Sequence, residues 1–202
     1  MERLDGVKQS RLNSSKESTR NLASTPTLFA EDRQPDNDYL IVPVVSSEKR
    51  NYLPMKYVSC NVIANANAQM IPECDLYSFG ILNSNVHNSW MRAICGRLET
   101  RYAYSATIVY NNFPWPTPTD IQKNKIEETA KAILESREQY PNDSLADLYD
   151  NRTMPQGLRK AHEANDIAVM DAYGFRHDIT EAEIVSELFK MYKDLIDAEG
   201  AR

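Results

Sequence analysis

Polar positions dominate the start of the chain, where Leu4, Val7, Leu12 and Leu22 are sparse apolar points among Lys, Arg and Ser. That pattern predicts a helical connector over about 2–14. Pro26, Pro35 and several Asp make residues 23–38 an extended linker. From Tyr39 the pattern turns to β. Tyr39–Val45 is an apolar run of strand length, and Pro43 within it implies an edge or a bulge. Residues 46–50 read as a polar turn or strand end. Val58–Ile63 alternates roughly, and Ala64–Gln69 is an Asn-rich loop. Asp75–Leu82 reads as another strand, or as a strand running into a helix. Ser84 is placed to cap a helix over 85–95, with Val86, Trp90 and Ile94 on one stripe and Gly96 as its stop. Glu99–Ser105 then alternates as a strand, and Ala106–Tyr110 is a second, apolar one.

Past Pro116 the period becomes helical. Three prolines in 114–118 form a rigid hinge, and Thr119 caps a helix whose apolar face is Ile121, Ile126, Ala130, Ile133 and Leu134. A short helical turn follows over 145–149. Pro155 opens a helix over 156–173 that ends at Gly174. Thr180 caps a last helix carrying Ile184, Leu188, Tyr192 and Ile196. The predicted fold class is α+β: a connector helix and linker (1–37), a mixed sheet-and-helix domain (38–116), and a small all-helical domain (117–202).

Charge changes the picture only when it is divided. The net charge of −6 argues at first against nucleic acid. Through Pro116, however, there are 12 basic against 11 acidic residues, and after it 11 against 18. The first part is therefore able to carry a local basic face. No apolar run approaches the roughly 18 residues of a membrane span, and the first residues are polar, so no membrane partner is expected. Cys60, Cys74 and Cys95 are odd in number and widely spaced, which points to a reducing cytoplasm and away from zinc or disulfides. His87, His162 and His177 lack the neighbours of a metal site, His162 reads as solvated on a polar helix face, and His177 lies in a turn. Six unclustered glycines exclude a phosphate or dinucleotide loop. No catalytic constellation and no metal site emerge.

On a strand over 99–105, Glu99, Arg101 and Ala103 share one face. Two readings are open for the charged pair. The side chains can pair with each other at the surface, or they can point together into a DNA major groove. There a carboxylate accepts from the cytosine amine and a guanidinium forks onto guanine, so the two suit one C·G pair. Asn111-Asn112-Phe113-Pro114-Trp115 superficially resembles the Asn-Pro-Pro-aromatic loop of amino-methyltransferases, but it lacks the two consecutive prolines. Phe113 and Trp115 are expected to pack the hinge instead.

Several stretches together carry a resemblance. They are Ser46–Pro54, Phe79–Leu82, Cys95–Leu98, Tyr110–Pro116, Ser144–Asp150, and Met154-Pro155 followed by Leu158–His162. In this order, over nearly the whole chain, they resemble the carboxy-terminal third of MmeI-like enzymes, which are single-chain type II restriction–modification proteins. The resemblance implies the end of a connector, a target recognition domain and a helical tail. The S-adenosylmethionine-dependent adenine methyltransferase is then expected upstream, with no cofactor held in this chain. It implies double-stranded DNA as partner, and base readout by the positions of Glu99 and Arg101. Ser46, Ser47, Lys49, Arg50 and Arg97 become candidates for phosphates, and Asn65, Asn67 and Gln69 for adenine edges. Two positions depart from the family: Val44 stands where relatives often carry a basic residue, and Ala103 shortens the face beside Arg101. The alternative function is an assembly module that docks an upstream methyltransferase polypeptide, with DNA contact incidental.

Overall fold

The structure, a computed structural model, describes residues 2–31 and 33–200 and divides into two compact units, one up to Asp36 and one from Asn37 onward. The first holds α1 (Glu2–Leu12) and α2 (Glu17–Asn21), then a single 3₁₀ turn over Leu22–Ser24. α1 buries no residue. The unit is closed by Arg11, whose guanidinium donates to the carbonyls of Leu22, Thr25 and Leu28, each at 2.7 Å. Of the predicted linker, Asp32 lies outside the described residues.

The second unit is α+β, as its pattern predicts. Strand β1 (Tyr39–Pro43) is the centre of a three-stranded antiparallel sheet; the two edges are β3 (Lys56–Val58) and β4 (Ala68–Pro72). Pro43 is therefore not on an edge strand. It is tolerated because it is the last residue of β1, opposite Ala68, and the chain leaves the sheet immediately after it. Val44 makes the step: its N–H donates to Asn67 O at 2.9 Å, and its carbonyl accepts from Tyr104 N at 2.7 Å. The chain then enters a second sheet through β2 (Val45–Ser46).

That second sheet corrects the single strand predicted over 99–105. Gly96–Leu98 (β5) and Arg101–Ala103 (β6) form a hairpin, and the strand order is β2-β6-β5. Leu98 faces Arg101, so Glu99 and Thr100 are the two-residue turn. Gly96 consequently opens a strand rather than stopping the helix before it. The alternation at 58–63 also ends early, at Val58, where the chain turns.

Asp75–Leu82 is helical rather than extended. In α3 (Leu76–Leu82), Asp75 Oδ1 caps the first turn by accepting from Ser78 N at 2.7 Å. Phe79 to Leu82 are all buried, and a short helix enclosed on every side shows no apolar period to read. Ser84 caps α4 (Asn85–Ile94) as predicted, accepting from His87 N at 3.2 Å.

Ala106–Tyr110 is a π-helical turn where a strand was expected. Side-chain donors hold the carbonyls that this wide turn presents. Asn112 Nδ2 donates to those of Thr107 and Ile108 at 3.0 Å each, and the Trp90 indole donates to that of Val109 at 3.1 Å. Phe113 and Trp115 pack edge to face, with ring centroids 5.5 Å apart, and so fill the proline-rich hinge as expected.

The remaining helices are α5 (Asp120–Glu138), α6 (Leu145–Leu148), α7 (Gln156–Tyr173) and α8 (Glu181–Gly200). Capping boxes open α5 and α6 at Thr119 and Ser144, and Gly174 closes α7 in the left-handed region at φ +69°. These helices complete one core with α3 and α4. A Cβ on Gly80 would lie 2.6 Å from Ile126 Cγ2, so only glycine lets α3 approach α5 this closely. Asn165 on α7 fastens the junction by donating to Gly80 O at 2.8 Å and accepting from Thr129 Oγ1 at 3.0 Å. Phe189 and Tyr192 of α8 pack against Trp90.

His162 is fully buried and not solvated: Tyr52 stacks on its ring, and Tyr149 hydroxyl lies 2.8 Å from Nε2. Among the described residues, no helix is long and apolar enough to cross a membrane.

Candidate nucleic-acid interface

The exposed part of the second sheet is its hairpin. Residues 96–100 are all open to solvent, and Glu99 takes φ +59° at the first turn position. Two-residue hairpins require positive φ there, and glycine normally supplies it; a glutamate in the left-handed region costs backbone energy. Glu99 is thus not on a strand face with Arg101, as the alternation implied. The turn nevertheless brings the two together, with Arg101 Nη2 donating to Glu99 Oε2 at 3.0 Å. Their side chains are 75% and 44% exposed, so the pair is worth about 1 kcal/mol at most. A guanidinium fork onto guanine discriminates by about 1–3 kcal/mol. The pair is therefore weak enough for either side chain to exchange it for another partner. Arg97 lies flat on the other side of the hairpin, its guanidinium 4.1 Å from the Tyr102 ring centroid and donating to Thr100 O at 3.3 Å.

β2 pairs with β6 so that Val45 faces Ala103 and Ser46 faces Tyr102. The register carries the following residue, Ser47, toward the end of the sheet where Arg101 and the hairpin turn lie. Ser47 and the Glu99–Arg101 pair thus lie toward one sheet end, while Asn65, Asn67 and Gln69 belong with the other sheet. Of the candidate phosphate residues, Ser46 is the exception. It is 4% exposed and its hydroxyl is enclosed without a hydrogen-bond partner, because β2 buries it in the ladder. Enclosed in this way, Ser46 does not reach a phosphate. Ser47, Lys49 and Arg50 remain at least partly exposed.

The loop after Ser47 is held from the helical side of the unit. Asn151, on the turn after α6, donates its amide to Lys49 O and to Asn51 Oδ1, and its own oxygen accepts from Asn51 N. Arg92 of α4 donates to Asn51 O at 3.1 Å and pairs with Glu181 at 2.7 Å. Tyr52 hydroxyl donates to Asp166 Oδ2 at 2.7 Å, while Asn85 N donates to its other oxygen at 2.6 Å. Burial raises the Asp166 carboxyl to a pKa of about 6 despite these two donors. Arg137 of α5 closes the series, donating to Met55 O at 2.7 Å and to Tyr149 hydroxyl. None of these anchors was visible in the sequence, since the partners stand between 12 and 114 residues apart and none belongs to a local motif.

Asn65, Asn67 and Gln69 do not share one loop. Asn65 Oδ1 accepts from Asn67 N at 2.9 Å in a tight turn, so part of its readout capacity is already engaged. Gln69 is within β4, opposite Val42, and lines a cleft of about 310 Å³ together with Met70, Tyr104 and Tyr110. His87, which Phe113 meets edge-on at 4.6 Å, is wholly buried, and burial lowers its pKa to about 3. Among the described residues, no group of three or more His, Cys, Asp or Glu is arranged to hold a metal ion.

Two family models match adjoining stretches of the chain: the MmeI target recognition domain over residues 1–117 and the MmeI C-terminal domain over 118–198. The chain belongs to the MmeI family. It is 37% identical over 196 residues to DNA methyltransferase A of Bacillus subtilis (strain 168), covering 97% of this chain and 22% of that protein. A solved structure of the type IIL restriction–modification enzyme MmeI in complex with DNA superposes with a TM-score of 0.92 at 47% identity, over 97% of this chain and 26% of that one. The chain thus spans about a quarter of the length of these relatives. The two MmeI models meet between Thr117 and Pro118, within the proline-rich hinge. The anchors from Asn151, Asp166 and Arg137 cross that boundary, so the C-terminal domain helps shape the loop that the recognition domain presents.

Proposed function

We propose that this chain is a sequence-specific DNA recognition module of an adenine-specific methyltransferase and restriction enzyme, reading base edges in the major groove. The observation that carries the proposal is the exposed turn at Glu99 and Arg101. It holds a glutamate at φ +59°, where glycine is easiest, at the sheet end toward which the register carries Ser47 and the loop after it. Backbone strain at an exposed tip supports a functional reading. Glu99 would accept from a cytosine amine and Arg101 would fork onto the paired guanine, favouring a C·G pair next to the methylated adenine. Ser47, Lys49, Arg50 and Arg97 would hold phosphates, which set position without setting sequence. Asn67 and Gln69, with Asn65 to a lesser extent, are the further readers. Family membership and the DNA-bound MmeI relative support the reading. S-adenosylmethionine would be bound by the methyltransferase part of the same system, and the setting would be the cytoplasm.

The test is fluorescence polarisation of the chain on a randomised duplex across a salt series. The proposal expects log affinity to fall linearly with log salt, with one sequence enriched from the pool. Absence of duplex affinity at low salt would count against it.

A second reading, an assembly module for a separate methyltransferase polypeptide, is favoured by α1. Its Leu4, Val7 and Leu12 are all exposed. DNA binding only after that polypeptide is added would support this reading.

A further inference from the structure

We propose that Arg152 completes a phosphate-binding subsite with Ser47, Lys49 and Arg50, so that the helical part of the chain grips the duplex backbone itself. The inference rests on the reading of the chain as a DNA module and deepens it. Lys49 and Arg50 lie on the loop after β2. Arg152 lies on the turn between α6 and α7, whose net acidity gives no sign of nucleic-acid contact. The structure places them around one cleft of about 270 Å³, lined by Ser47, Lys49, Arg50, Asp150, Asn151 and Arg152. Three cations there face one carboxylate, leaving an excess of positive charge for a phosphodiester.

The backbone on the two sides of the cleft is braced before any ligand arrives. The Asn151 side chain spans the cleft to Lys49 O and Asn51, while its own carbonyl accepts from Arg159 of α7 at 3.0 Å. Thr153 Oγ1 donates to Asp147 O at 2.9 Å and braces the far side of the turn. Arg152 itself is 87% exposed, and its partner is Asp150, two residues away, reached through Nε at 3.2 Å and Nη2 at 3.0 Å. These bonds to Arg152, with the nearby charge of Arg50, hold the Asp150 carboxyl down at a pKa of about 2, so it stays ionised and keeps the fork extended. A planar guanidinium presented in this way suits the paired oxygens of a phosphate. Asp150 orients the fork, Lys49 and Arg50 supply the opposing charge, and Asn151 sets the distance between the two sides.

The experiment compares the full chain with Arg152→Ala and Asn151→Ala, by polarisation on the enriched duplex across a salt series. The same duplex is then scanned with single methylphosphonate substitutions, each removing one backbone charge. Arg152→Ala is expected to reduce the salt slope by about 0.9, to weaken binding on the order of tenfold near 0.1 M salt, and to leave sequence preference unchanged. One methylphosphonate position should weaken the wild type but not Arg152→Ala. Asn151→Ala keeps every cation, so it should lower affinity with little change of slope. A wild type that binds, with an Arg152→Ala variant of the same slope and affinity, overturns the subsite alone. Free inorganic phosphate displacing the duplex beyond the effect of chloride at equal ionic strength would make this a small-anion site and overturn its assignment to the backbone. A wild type that binds no duplex at any salt overturns the DNA reading, and the subsite with it.

Discussion

The junction of α3, α5 and α7 and the tip of the β5–β6 hairpin obey opposite rules. At the junction each group has one arrangement open to it. Gly80 admits no Cβ, Asn165 satisfies partners on two helices, and Arg137 serves Met55, Asn83 and Tyr149 while lying 5.4 Å from the Phe79 ring centroid. At the tip, Glu99 stands in solvent and pairs with a half-exposed Arg101, whose Nε is enclosed without a partner. Were the tip to read bases as proposed, the contrast would let the scaffold stay fixed while the reading residues change. Side chains at the tip have little structural duty, so exchanging them should alter preference at small cost in stability. Exchanging junction residues should cost stability and leave preference alone.

The sharpest way to break that comparison is at Arg137. Arg137→Ala strands a buried carbonyl and a buried amide and should destabilise by on the order of 3 kcal/mol in denaturant unfolding. The enriched DNA sequence should be unchanged wherever the variant remains folded. An altered preference would mean that the helical part reads bases.

A smaller effect concerns acid. Buried His87 and His162 are held neutral in the folded chain, with pKa values pushed below 6.5, so the unfolded state takes up more protons as pH falls. Stability is then fully present above pH 6.5 and declines below it. Asp166 acts in the opposite sense. Its folded pKa of about 6 lies above the usual 3.8, so its contribution is greatest in acid and is lost as pH rises through 6. Asp166→Asn leaves one oxygen to accept from Asn85 N, with its amide turned to donate to the Tyr52 hydroxyl oxygen, but removes this compensation. Between pH 6 and 4 its unfolding free energy should fall more steeply than that of the wild type, by about 1.4 kcal/mol per pH unit.

The smallest stability effect belongs to the tip. Glu99→Gly relieves the backbone at φ +59° and should leave stability unchanged or raise it by up to about 1 kcal/mol, read as thermal midpoint. It should also erase the preference for a C·G pair. A variant that is more stable and less selective would identify the strain as a functional one.

The same contrast decides what was legible in the sequence. Helices with caps and one apolar face were readable to within a residue or two, as with α4 after Ser84, α5 after Thr119 and α7 before Gly174. Elements enclosed on all sides were not. α3 lost its period because Phe79 to Leu82 are all buried. The turn at 106–110 has the residues of a strand and is held open by Trp90 and Asn112, which no local pattern encodes. His162 stands among polar neighbours in sequence yet lies under Tyr52 and Tyr149 in space. Of the interface, the charged pair and the basic loop could be read from residue type. The hairpin turn between Glu99 and Arg101, the burial of Ser46 and the anchoring by Asn151 depend on contacts across the chain.

Readout of a base pair by the hairpin tip is tested directly by a charge exchange. The chain and its Glu99→Lys/Arg101→Asp double variant would each select from a randomised duplex pool, with thermal midpoints measured alongside. The account predicts two folded proteins of nearly equal stability whose enriched sites differ at one position, C·G in the wild type and G·C in the variant. The same enriched sequence from both would contradict it, and would remove Glu99 and Arg101 from the code.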